Sequence, residues 1–215
     1  MRSTTIDILA DFLDTVDRVY GLYLDSVAAY KWARERFVST QQDMMKYFLD
    51  RGDTMQLSDL DEKLLHIGKG DLNSKAAKFL HKCTQGEYKS RNAEGGFNHL
   101  MIANQCLVLI YQYWEDRYRK DLAADLSVDV ADISVDTMGD IRLLRHSIVH
   151  HRGIALPDVA KCRIVTKFKE GDVIDLSEEE FETMILEVKK GIVQIAEGNE
   201  NELAEAFERH IKWPY

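Results

Sequence analysis

TIDILADFLDTVDRVYGLYLDSVAAY, residues 5–30, decides the fold class. Its apolar residues Ile6, Leu9, Leu13, Val16, Tyr20, Tyr23, Val27 and Tyr30 advance by alternating steps of three and four. An α-helix turns once in about 3.6 residues, so those steps keep one stripe of its surface apolar. Phe12, Val19 and Leu24 widen the stripe beyond the two positions of a strict coiled-coil seam. Ser3, Thr4 or Thr5 can cap the start. The pattern predicts a long helix over about residues 5–49, kinked or broken at most once, that packs against the chain's own bundle core; the other reading is that part of it also pairs with a second copy of the chain.

Downstream the period weakens. Arg51-Gly52-Asp53 ends the helix, Ser58 to Leu65 reads as a short helix, and Gly68-Lys69-Gly70-Asp71 reads as a turn. That turn lacks the spacing and the Lys-Ser/Thr ending of a phosphate loop. A further helix is expected from Asn73 to about Cys83, then a polar loop from Gly86 to Gly96. Phe97 to Ala124 is the most apolar helical stretch and should run through the middle of the bundle. Asp132 or Ser134 is expected to cap the next helix, which runs to about His151 and stops at Gly153, with Pro157 beyond.

After Pro157 the period changes. Cys162 to Phe168 and Val173 to Leu176 flank Glu170-Gly171-Asp172 and read as a β-hairpin. Ser177 and Glu180 form a capping-box signature for a helix to about Ala196. A break at Gly198 precedes a segment with Leu203, Phe207 and Ile211 on one side. The expected class is therefore all-α: a helical bundle with a long N-terminal helix and a small β-hairpin inserted before the C-terminal helices. Residues 1–215 read as one domain, with a core over about 1–156 and an elaboration over about 157–215.

Composition agrees. The chain has 215 residues, 45% hydrophobic, with only 2 Pro and 12 Gly to interrupt helices. No apolar run approaches the roughly 18–20 residues that span a bilayer. The acids in MRSTTIDILADFLD argue against a secretory signal, and Cys83, Cys106 and Cys162 have no metal-type spacing. A reduced, cytoplasmic chain without membrane partners is the expectation. The net charge of −9 lies wholly in residues 170–215, which hold 13 acids and 4 bases. Residues 1–169 are neutral, so the sum does not exclude a polyanionic partner.

One helix concentrates chemistry: Asp140-Ile-Arg-Leu-Leu-Arg145-His-Ser-Ile-Val149-His-His-Arg152-Gly153. With Ile141 at zero on a helical wheel, Ile141, Leu144 and Ile148 form the core stripe. Arg145, Val149, Arg142, His146 and His150 follow from about 40° to about 180°. That face carries two arginines and two histidines and no acid. Arginine holds phosphate through a planar fork, and histidine exchanges protons near neutral pH.

Arg145-His146-Ser147-Ile148-Val149-His150 resembles the R-[polar]-x3-H motif of HEPN domains. The preceding helix, ending Tyr113-Trp114-Glu115-Asp116-Arg117-Tyr118-Arg119, is similar to the helix before that motif. The resemblance covers about residues 97–153 and extends to the long first helix, leaving the hairpin and the acidic end as elaborations. It implies a homodimer that brings two motifs into one cleft, and a metal-independent endoribonuclease of a toxin–antitoxin or anti-phage system. An antitoxin or other defence protein is then a further expected partner.

Within the resemblance, Arg145 and His150 are the catalytic pair and His146 takes the assisting polar position, where Asn or Asp is common. Arg142, His151 and Glu115 are expected to assist or to bind substrate; Glu115 also suits a helix-end ion pair with Arg119. Arg152 stands where one subgroup has a modifiable tyrosine. The implied reaction is attack of a ribose 2′-hydroxyl on the adjacent phosphate, giving a 2′,3′-cyclic phosphate and a 5′-hydroxyl. His150 would act as acid or base and Arg145 would offset phosphate charge. On one helix those two residues point about 140° apart, so a long arginine and a two-chain cleft are needed to join them.

Two other readings remain open at this point. His146, His150 and His151 supply one-turn spacing for a metal but no third ligand type, and the arginines disfavour a dication; no metal or cofactor is expected. Alternatively the helix is a non-catalytic RNA-binding or protein-interaction surface. Glu178-Glu179-Glu180 or the acids from Glu197 to Glu208 would then be its natural cover. Trp32, Trp114, Trp213 and the nine tyrosines read first as core and interface residues; of them only Tyr111, Trp114 and Tyr118, near the cleft, are placed to touch a base.

Overall fold

The computed structural model describes residues 3–52, 54–71, 74 and 78–211, the side chains of Ser3, His210 and Ile211 excepted. Helix α1 runs unbroken over Ser3–Asp50. Ile6, Leu9, Phe12, Leu13, Val16, Val19, Tyr23 and Val27 are buried on it, as the step pattern requires, while Leu24 is exposed. The chain divides into two compact units, Met1–Leu24 with Ile102–Tyr215, and Asp25–Met101. All-α architecture, the long first helix and one small two-stranded hairpin are all present.

The first unit is built on aromatic contacts. Phe12 lies 5.3 Å from Trp114 and 4.8 Å from Tyr118, centroid to centroid, and Tyr23 lies 4.2 Å from Phe181. Burying each such ring is worth about 1.5–3 kcal/mol, and each pair adds about 0.5–1.5 kcal/mol. The apolar stretch is not one regular helix: α4 (Phe97–Tyr113) passes through a π-helical turn, Trp114–Tyr118, into α5 (Arg119–Leu126). The wider turn sends both Trp114 and Tyr118 into the core, each 2% exposed. They are core residues, the first reading of these aromatics, and are not available to stack on a base; Trp213 lies outside the described residues.

Helix α6 spans Asp136–His150 and starts after Val135, with no side-chain cap. Neither Asp132 nor Ser134 caps it; Asp129 instead caps a short 3₁₀ turn, Val130–Asp132. In α7 (Glu178–Ile195) the Ser177–Glu180 capping box forms as read. Gly198, at φ 80°, separates α7 from α8 (Glu200–Ile211), where Leu203 and Ala206 are buried.

The hairpin lies earlier in the chain than expected. In the second unit, α2 (Leu57–Asp61) leads to β1 (Leu64–Lys69), paired antiparallel with β2 (Lys78–Thr84), followed by α3 (Gln85–Arg91). Residues expected as helix up to Cys83 are strand from Lys78; part of that expectation, residues 73 and 75–77, lies outside the described residues. Helix α3 replaces the start of an expected loop because Thr84 and Glu87 close a capping box around Gly86.

Residues 162–176 do not pair as strands, and a single bridge, Ile154 to Val173, stands in their place. Their backbone is taken elsewhere: the N–H groups of Arg163 and Ile164 donate to the buried Asp140 carboxylate. Val165, Phe168, Ile174 and Leu176 are buried one by one against the core.

Candidate functional site

The end of α6 is fixed by Ser147, which is fully buried. Its carbonyl accepts the N–H groups of His151 (3.0 Å) and Gly153 (3.1 Å). Its hydroxyl accepts the Leu156 N–H at 3.1 Å. Arg152 (φ 55°) and Gly153 (φ 78°) then turn through the left-handed region. Glycine enters it freely, whereas a side-chain-bearing residue such as Arg152 costs about 1–2 kcal/mol there. The helix thus stops where the glycine was read to stop it.

This ending gathers the histidines. The ring of His146 is 5.2 Å from that of His150, edge-on, and 5.9 Å from that of His151, stacked. All three are exposed, as is Arg142 one turn earlier. Arg142 and His146 line a groove of about 530 Å³ together with Leu143, Asp158, Lys161 and Arg163. Two of its cations are paired, Lys161 with Asp158 (2.5 Å) and Arg163 with Asp136 (2.9 Å). Lys161, with a smaller field from His146 and Arg142, holds the Asp158 carboxyl below its usual range. Among the described residues no carboxylate forms an ion pair with Arg142 or His146.

Arg145 faces elsewhere. Its guanidinium carbon sits 5.6 Å above the Tyr111 ring of α4, a cation–π placement. Its Nε is buried without a hydrogen-bond partner. Burial, then the Glu115 charge, raises the Tyr111 hydroxyl above its ordinary pKa, against the opposing fields of Arg142, Arg119 and Arg145. Glu115 forms the helix-end ion pair with Arg119 at 3.1 Å, and Arg119 Nε donates to the Ile133 carbonyl. Glu115, Arg119, Tyr111 and Arg142 line a second, smaller hollow of about 230 Å³.

The six residues singled out in the sequence therefore fall into three groups. His146, His150 and His151 meet; Arg142 borders both hollows, and Glu115 lines the smaller one; Arg145 is packed on Tyr111. Among the described residues no hydrogen bond, ion pair or ring contact joins Arg145 to His150. No group of three or more His, Cys, Asp or Glu side chains among them is arranged to hold a metal ion. The proposed acidic cover is not seen: Glu180 pairs with Lys167 at 2.8 Å, and no described ion pair joins Glu178–Glu180 or Glu197–Glu208 to α6.

Lys161 and Arg163 were missed in the sequence, because the segment around Cys162 read as a strand. Searches among family models, curated proteins and solved structures give no match for this chain.

Proposed function

We propose that the chain is a metal-independent endoribonuclease of the HEPN type, acting as a homodimer in a toxin–antitoxin or anti-phage setting. The observation that carries this reading is the exposed His146–His150 pair beside Arg142, on a helix face free of acids. An acid–base group and a phosphate-holding cation on one rigid helix end are the two parts that transesterification of RNA needs. His150 would take the proton of the attacking 2′-hydroxyl or give one to the departing 5′-oxygen. The partner copy's motif would supply the opposite role. Arg145, swung from Tyr111 toward a bound phosphate, would satisfy its buried Nε and offset the developing charge.

A specific observation favours a second reading. Arg145 packed on Tyr111 and unconnected to His150 also suits an adaptor that binds RNA without cutting it. The experiment that separates them is RNA cleavage in excess EDTA by the wild type, Arg145→Ala and His150→Ala. The nuclease reading expects chelator-resistant cleavage, cyclic phosphate ends and a loss of about 10²-fold or more in each variant. No cleavage by a folded dimer across varied RNAs would leave the adaptor.

A further inference from the structure

The β1–β2 hairpin carries chemistry that the α6 site does not use. Its strands, Leu-Leu-His-Ile-Gly-Lys (64–69) and Lys-Phe-Leu-His-Lys-Cys-Thr (78–84), contain three lysines and two histidines and no acid. That is a basic ribbon in a chain whose net charge is −9. The register places His66 opposite Lys82, Gly68 opposite Phe79 and Lys69 opposite Lys78. Facing residues of an antiparallel pair share a side, so His66, Lys82 and Phe79 lie on one face, while Lys69 and Lys78, one step along, lie on the other with His81. The rings of His66 and Phe79 are 5.4 Å apart, edge-on. Gly68 has no side chain to cover the ring across from it. Phe79 is 59% exposed and Leu80, at the irregular point of the ladder, is 61% exposed.

An exposed aromatic ring on a ribbon that carries lysines and no acid suits a polymer that is both anionic and planar in its side groups. We infer that this hairpin is a docking surface for single-stranded RNA that wraps its edge, with a base stacked on Phe79, Lys82 on a phosphate on the same face and Lys69 and Lys78 holding the backbone from the other face. Arg91, whose Nη1 lies 2.7 Å from the His81 ring, steadies the opposite face against α3. Charge complementarity and the uncovered ring together select the occupant: an acidic protein segment, this chain's own included, would meet the lysines but offer Phe79 no planar partner. The inference rests on the reading that RNA is this chain's target, and it supplies what a two-histidine site lacks, a means of holding a long substrate.

The test uses the full chain carrying His150→Ala, so that cleavage does not consume the probe. A fluorescein-labelled 20-nucleotide uridine-rich RNA is titrated by anisotropy at several salt concentrations. Lys69→Ala/Lys78→Ala/Lys82→Ala should weaken binding at least tenfold and lower the salt slope by about 2, since each single-strand phosphate contact contributes about 0.7. Phe79→Ala should weaken binding on the order of tenfold with little change in that slope. The triple Lys→Arg variant should bind as the parent does, which separates loss of charge from loss of folding.

Triple-alanine binding within twofold of the parent, or no RNA binding by the parent, overturns the inference. So does a hairpin that instead carries the chain to anionic phosphatidylserine vesicles without affecting RNA. If the wild type cuts no RNA while hairpin-dependent binding persists, the nuclease reading falls and this one stands.

Discussion

Asp140 illustrates how much one side chain can organise. It is 3% exposed and accepts the N–H groups of both Arg163 and Ile164, at 2.7 to 3.0 Å. Removing it orphans two backbone donors that a buried carboxylate now satisfies, at about 1–3 kcal/mol each. Asp140→Ala should therefore lower the urea midpoint by the equivalent of about 2–4 kcal/mol, and Asp140→Asn by less; a shift below about 0.5 kcal/mol for the alanine variant would refute the assignment. The Cys162 thiol donates to the Asp140 backbone carbonyl at 3.9 Å. Burial first, then Asp140, pushes that thiol up to about 12, and burial pushes Cys106 up to about 11. Above the ordinary thiol pKa the unfolded chain sheds protons that the folded chain keeps, so the folded state loses stability as pH rises. Melting temperature should fall steadily above about pH 9, and Cys106→Ser with Cys162→Ser should flatten that fall.

At the scale of elements, α7 crosses the entry to α6 closely. A Cβ built on Gly191 would come 2.4 Å from Val135 Cγ1, so only glycine admits this approach. Gly191→Ala gains about 0.5–1 kcal/mol of helix propensity, but overpacking costs about 1–3 kcal/mol. The net should be a destabilisation of about 1 kcal/mol, and Val135→Ala in the same chain should recover part of it; a stabilised single variant would contradict the crossing.

The elements themselves were unequally legible. The first helix, the Ser177 box and the Gly153 stop follow from spacing and caps, which act within a turn or two. The hairpin at 64–84 did not, because Lys78 to Cys83 has no alternation until a partner strand supplies one. The false strand at 162–168 has the converse cause: its alternation is real, but its N–H groups answer to Asp140, over twenty residues away. In the site, the histidine cluster could be read from helical spacing. Arg145's turn onto Tyr111 could not, since nothing local to α6 specifies a ring on α4.

At the scale of the whole molecule, the proposed reaction needs a second copy. Among the described residues of one chain no hydrogen bond, ion pair or ring contact joins Arg145 to His150, whose ring partner is His146. The first unit leaves suitable apolar residues outside: Leu109 and Tyr113, one turn apart on α4, and Val149, one turn beyond Arg145 on α6 and 47% exposed. An exposed valine between the two proposed catalytic positions, Arg145 and His150, is what an interface through the proposed site would require. Leu109→Glu and Val149→Glu should each give a folded monomer in sedimentation experiments, with helical content unchanged and cleavage per chain reduced by at least tenfold. The wild type, diluted below its dimer dissociation constant, should lose activity per chain in the same way, because each site would need both copies. A charge introduced at an ordinary surface position costs within about 0.5 kcal/mol and would alter neither quantity. A monomeric variant that cuts RNA at the wild-type rate would place the whole catalytic apparatus in one chain, and Arg145 would then have to reach His150 unaided.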